Sequence, residues 1–166
     1  MHLIRKATIE DIPSIRALAQ TTFYHTYESI LTTDQMDFMF DWMYSNESLH
    51  KQMQELQHTF YLYLSNKQLL GFASIEQQDD QLFHLHKLYI NPDTQQKGAG
   101  RTLIQTIFSH AKEHAKNRPC IVELNVNRHN KALKFYEKMG MHIHTQGDFE
   151  IGNGYFMNDY ILRIEL

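Results

Sequence analysis

Three groups of residues have types and spacings that could do chemistry. The first lies between Tyr89 and Leu103, where Asn91-Pro92 and then Gln95-Gln96-Lys97-Gly98-Ala99-Gly100-Arg101 separate an apolar run from an amphipathic one. That order is strand, loop, glycines, helix. Gly98 and Gly100 remove β-carbons where the chain turns into the helix, so backbone N–H groups can approach a ligand, and the helix N-terminus adds roughly half a positive charge. Phosphate is the guest this suits. Neither the Gly-Lys-Ser/Thr of a nucleotide-binding loop nor the third glycine of a dinucleotide fingerprint is present. The second group is His84 and His86, which share a face by strand alternation, with Glu76 and Glu123 on neighbouring strands. An imidazole near pKa 6.5 is poised to relay a proton through water. The third group is Asp37 and Asp41, four apart on one helix face, with Phe38 and Trp42 likewise paired, so carboxylates and aromatic surfaces alternate around a helix in a way that suits a polycation.

Charge is divided in the same sense. Across 166 residues the formal net charge is −3, yet residues 17–50 hold five acids and no Lys or Arg, whereas residues 86–140 are net basic. An anion in the later segment and a cation near the earlier one would account for the asymmetry. At 42% hydrophobic and 21% charged residues, with 7 Gly and 3 Pro, the composition is that of one folded domain, residues 1–166, and excludes collagen-like and disordered classes. The single Cys120 excludes an internal disulfide and a thiolate zinc site. No apolar run is long enough to span a membrane, and the first residues are too short and charged for a signal peptide, so a cytoplasmic protein without membrane contact is expected.

The elements that must position these groups follow from periodicity. Residues 2–7 predict a strand; Thr8 and Asp11 form a capping signal before Ile12, Ile15, Leu18 and Ala19 at helical spacing. Thr32 and Gln35 cap a second helix with Met36, Met39, Phe40 and Met43 on one face, and residues 47–56 continue helical. A hairpin spans Thr59–Leu64 and Leu69–Ile75, and a third strand, Leu82–Ile90, stops at Pro92. Leu103, Ile104, Ile107, Phe108, Ala111 and Ala115 define the buried stripe of the helix after the glycines. Cys120–Val126 predicts a strand, Asn130–Met139 a helix ended by Gly140, and Asn153-Gly154 a closing hairpin turn.

The glycine loop matches completely the Gln/Arg-x-x-Gly-x-Gly/Ala motif of the GNAT N-acetyltransferases, and Asn130 with Tyr136 ahead of Gly140 resembles that family's second signature. Phe38–Ser45, His86–Pro92, Leu124–Arg128 and Tyr155–Tyr160 resemble more narrowly the PaiA-type polyamine acetyltransferases. The resemblance implies an α/β (α+β) GNAT fold: one mixed, mostly antiparallel twisted sheet of about seven strands flanked by helices, with two central parallel strands splayed. It implies acetyl-CoA as cofactor. The pyrophosphate would lie on Gln95, Gln96, Lys97, Gly98, Ala99, Gly100 and Arg101, the pantetheine against Leu88, Tyr89 and Ile90, with Asn125, Asn130 and Tyr136 also in contact. A backbone N–H near Leu88 would polarise the thioester carbonyl.

Tyr136 is then the expected general acid for the departing thiolate. A phenol near pKa 10 and a thiol near 8.5 make full transfer uphill by about 2 kcal/mol, so Tyr136 assists while sulfur is gaining charge. An alkylamine of pKa about 10.4 is neutral only about once in 2,500 molecules at pH 7, so a base is needed. His84 is placed first, with His86, Glu76 and Glu123 as alternatives. The acceptor, a small-molecule primary amine such as spermidine or spermine, is expected against Tyr27, Glu28, Asp37, Asp41, Trp42 and Glu76. A peptide amine, and a coenzyme-binding sensor without turnover, are the competing readings. A homodimer is possible by family likeness. No metal is expected: His110-x-x-Glu113-His114 reads as a solvated helix face, and His84-x-His86 and His142-x-His144 have same-face spacing but no clustered carboxylate accompanies either. The dispersed basic residues, without interleaved base-stacking aromatics, do not suggest nucleic acid.

Overall fold

The structure is a computed structural model that describes residues 1–94 and 97–166; the expectations for Gln95 and Gln96 lie outside the described residues. β1 (His2–Lys6) leads through a short 3-10 turn to α1 (Ile12–Tyr27), α2 (Thr33–Tyr44) and α3 (Asn46–Gln54). Then come β2 (Thr59–Ser65), β3 (Gln68–Gln77), β4 (Leu82–Ile90), α4 (Ala99–His114), β5 (Ile121–Asn127), α5 (Ala132–Lys138), β6 (His142–Gly152) and β7 (Tyr155–Glu165). The expected caps are present: the Thr8 N–H donates to Asp11 at 2.8 Å and the Gln35 N–H to the Thr32 hydroxyl at 3.2 Å. The Asn153-Gly154 turn joins β6 to β7 with both residues at positive φ, as a tight hairpin requires.

The seven strands form one sheet in the order β1-β2-β3-β4-β5-β7-β6, antiparallel throughout except for β4 beside β5. Each face carries its own core. α4 lays Leu103, Ile104, Ile107 and Ala111, all fully buried, against Phe83, Leu85, Val122 and Leu124. On the other face Ile15, Ala19 and Phe23 of α1 and Met36, Met39 and Phe40 of α2 pack over Phe60, Leu62 and Phe72. Each fully buried large apolar side chain contributes roughly 1.5–3 kcal/mol.

Two irregularities make room for a site. β4 and β5 pair only from Leu82–His84 to Ile121–Glu123, while β4 stays with β3 to Ile90 and β5 with β7 to Asn127. Beyond His84 and Glu123 the two parallel strands therefore splay. The second is a β-bulge: Lys87 pairs with Ser74 but Leu85 with Ile75, which leaves His86 as the extra residue. Leu88 and Ile90 thus join Phe83 and Leu85 over α4, whereas Tyr89 packs with the α1–α2 core. Simple alternation through β4 predicts otherwise, because a bulge shifts the period by one residue.

Candidate active site

A cavity of about 960 Å³ occupies the splay and extends beneath α2 and α3. Tyr27, Asp41, Trp42, His84, Leu88, Tyr89, Ile90, Gly100, Asn125, Asn130 and Tyr136, all selected from sequence, line it. Its two ends are built differently.

At the splayed end the backbone dominates. Gly98 sits at φ +92°, the left-handed region, and starts α4 without any side-chain cap; the first helical bond runs from the Thr102 N–H to the Gly98 carbonyl at 2.9 Å. The N–H groups of Ala99, Gly100 and Arg101 therefore have no partner within the helix, with Lys97 and Arg101 exposed beside them. This fits a phosphate-bearing cofactor. Gly100 allows α5 to close on α4: an added Cβ would lie 3.3 Å from the Phe135 ring. Tyr136, one residue on, is buried, and burial together with neighbouring Tyr27 raises its phenol well above the ordinary range, which keeps it protonated. Asn130 has a structural task too: its side-chain oxygen accepts from the Ala132 N–H at 2.9 Å and opens α5. Tyr27 of α1 stands beside Tyr89 of β4 and Asn130 ahead of α5, all three on the cavity wall.

At the other end side chains dominate. Asp41 and a half-exposed Trp42 come from α2, Glu47 and Lys51 from α3. Phe38 turns away from the cavity, its ring 5.4 Å from that of Tyr155 in the closing hairpin. Asp37 accepts a 2.6 Å bond from the Tyr24 hydroxyl and does not line the cavity; neither does the exposed Glu28. Of the acids expected there from sequence, Asp41 alone lines it directly.

Between the ends lies a stack of imidazoles. The His58 and His86 rings are 4.3 Å apart and parallel within 9°, and the His84 ring is 4.5 Å from His86. Glu76 is one step behind the wall, its Oε2 2.7 Å from His86 Nε2. His84 Nδ1 is 3.5 Å from Glu123, too poorly aimed for a hydrogen bond, and Glu123 is engaged by Arg163 at 2.8 Å. Burial lowers the pKa of His84, of His58 and of His86, and for His86 the closeness of His84 adds to it, because a proton on one ring opposes a proton on the other. All three rings are therefore neutral near pH 7.

Lys87 was not singled out by sequence. It is buried, donates to the Gln52 side-chain oxygen at 2.6 Å, and holds its ammonium over the Tyr44 and Phe60 rings at 5.4 and 5.6 Å. Burial lowers its pKa to about 7. The bulge put it there, and a bulge leaves no sequence signal of its own. Sequence gives no sign of Glu47 and Gln52, which reach the site only when α3 folds onto the sheet, or of His58, which the loop before β2 carries there. The discounted His110 is buried, 2.9 Å from the Tyr61 hydroxyl and stacked on His114, a packing role.

The acetyltransferase (GNAT) domain profile matches residues 24–155, and the chain belongs to this family. An uncharacterized N-acetyltransferase of Mycobacterium bovis is 32% identical over 99 residues, 59% of this chain and 61% of that protein, so the likeness spans under two thirds of either. The structure of a PaiA N-acetyltransferase from Thermoplasma acidophilum, solved with coenzyme A, superposes with a TM-score of 0.81 at 23% identity, covering 100% of this chain and 99% of that one. The ribosomal-protein-S18-alanine N-acetyltransferase of Escherichia coli superposes at 0.74 and 17% identity, over 99% and 94%. At such identities the likeness is one of fold.

Proposed function

We propose that the chain transfers the acetyl group of acetyl-CoA to a primary amine of a small polycationic acceptor, a polyamine such as spermidine or spermine. The observation that carries this reading is the continuity of the cavity: one volume joins the splayed strands, where a pantetheine arm would enter, to a wall bearing Asp41, Glu47 and Trp42. Acetyl-CoA supplies the activated thioester. The open N–H groups at the start of α4, with Lys97 and Arg101 beside them, would hold its pyrophosphate, and the Leu88 N–H would serve as donor to the thioester oxygen. Tyr136, held protonated, donates to the departing sulfur.

The acceptor end divides its electrostatics in a way that serves deprotonation. Asp41 and Glu47 attract the distal ammonium groups, while neutral imidazoles and partly charged Lys87 surround the reacting nitrogen and disfavour its ammonium form. His84, backed by Glu123 and Arg163, takes the proton through water. Thiol release from acetyl-CoA is measured with spermidine, spermine, a lysine-containing peptide and no acceptor. Saturable release with the polyamines is expected. Release with the peptide alone would redirect the acceptor assignment, and no release with any amine would favour a sensor.

A further inference from the structure

The bulge in β4 and the loop before β2 bring together three side chains that no sequence spacing connects. His86 Nε2 and His58 Nε2 lie 2.7 and 3.7 Å from the same oxygen, Oε2 of Glu76. One donor atom from each of the three residues falls within 4.8 Å of the others, and this is the one such set of three among the described residues. We propose that His58, Glu76 and His86 form a binding site for a divalent transition-metal ion of the zinc class, opening onto the cavity.

Three observations support it. The first is the donor set: two imidazole nitrogens and one carboxylate oxygen are the ligands such an ion takes when it keeps a further position for water or substrate. The second is the spacing. Bonds of about 2.0–2.1 Å in tetrahedral geometry separate donors by roughly 3.3 Å, so the two distances to Glu76, 2.7 and 3.7 Å, each lie within about half an ångström of the requirement, and the stacked His58 and His86 rings must turn out of parallel for both nitrogens to face one ion. The third is the state of His58. Its side chain is 7% exposed, its Nδ1 is buried with no partner, and its Nε2 stands beyond hydrogen-bond reach of Glu76. A metal bond would give Nε2 the partner that Glu76, at 3.7 Å, does not supply, while the buried Nδ1 is left as it is. The nearby Lys87 ammonium opposes a cation here; the Glu76 carboxylate offsets it.

The structure corrects the expectation that no carboxylate accompanies His84-x-His86. The missing carboxylate stands on the adjacent strand and the second imidazole comes from the loop before β2, so His86 ligates with Glu76 and His58, not with His84. Because the ion would face the acceptor end, the inference concerns the cavity itself and does not depend on which amine is acetylated.

The full chain, stripped with EDTA and desalted, is titrated with Zn2+ against a chromophoric zinc indicator, without acetyl-CoA. One ion per chain is expected. His58→Ala, His86→Ala and Glu76→Gln should each weaken binding by at least the 10–100-fold that even an outer-shell change typically costs. His144→Ala, on exposed β6, and Tyr136→Phe should leave it unchanged. Crystals soaked in Zn2+ and measured at the zinc edge give a reading that needs no variant: an anomalous peak within bonding distance of the three side chains supports the site. No saturable binding, binding indifferent to the three substitutions, or a peak elsewhere overturns it. Retained zinc with no thiol release would leave this site standing while removing the acetyltransferase reading.

Discussion

The two ends of the cavity differ in what they are made of. The cofactor end is backbone: the left-handed Gly98, the uncapped start of α4 and the main chain of a strand that has left its neighbour. The acceptor end is side chains gathered from α2, α3, the loop before β2 and the bulged part of β4. A backbone site depends on a few glycines and on element order, so many sequences can build it. A side-chain site depends on which residues those elements carry, and this is where relatives of one fold can differ in acceptor.

The largest expected effect falls at the cofactor end. Tyr136→Phe keeps the ring in its buried place and removes only the hydroxyl, so kcat should fall by about 10²–10⁴-fold, the usual contribution of a positioned acid. Coenzyme binding, measured by calorimetry, should stay within about twofold. An unchanged kcat would take Tyr136 out of the chemistry and leave the cofactor end purely a binding surface.

Next comes Lys87, the charge buried in the acceptor end. Folding lowers its pKa from 10.5 to about 7, so the folded state disfavours the ammonium. Below pH 7 both states hold the proton and the full cost, on the order of 5 kcal/mol, is present. The cost shrinks as pH rises from 7 and is gone above about 10.5. Wild-type stability, from urea melts, should therefore gain relative to Lys87→Met between pH 7 and 10. The variant also strands the Gln52 oxygen, a loss of about 1–3 kcal/mol, which reduces its advantage at low pH without altering the slope. Parallel pH profiles would mean that the ammonium is not buried as described.

This contrast also explains what could be read from the chain beforehand. The strand and helix order, the α4 stripe and the caps at Thr8 and Thr32 are local patterns, and each appears where periodicity put it. The glycine loop is equally local. His58 is not: between α3 and β2 it looks like any loop histidine, and only the sheet brings it against His86. Lys87 reads as an ordinary strand lysine until the bulge turns it inward. Asp37 and Asp41 share a helix face in sequence, but Tyr24 of α1 reaches Asp37 and keeps it as a packing partner. Tertiary partners decide which members of a pattern are free to act.

A smaller test returns to the cofactor end. Among the described residues nothing lies within 4 Å of where a Cβ of Gly98 would stand, so Gly98→Ala probes backbone conformation. The left-handed φ should cost about 1 kcal/mol of stability, read as a lower urea midpoint. Coenzyme affinity should fall only modestly, since the N–H groups of α4 remain. A loss of affinity far above the loss of stability would show that this φ aims the N–H groups at the phosphate.

The finest comparison sets Asp41 against Asp37, one helical turn apart. Asp41 is exposed on the cavity wall, whereas Asp37 is already occupied, accepting from the Tyr24 hydroxyl at 2.6 Å. Exposed charge pairs contribute about 0.2–1 kcal/mol, so Asp41→Asn should raise the polyamine KM by up to about fivefold with kcat unchanged. Asp37→Asn should leave KM alone and lower stability slightly through the weakened Tyr24 bond. Equal KM effects from both would mean that the acceptor senses the summed charge of α2, and the acceptor end would then be a diffuse field with no defined contact at Asp41.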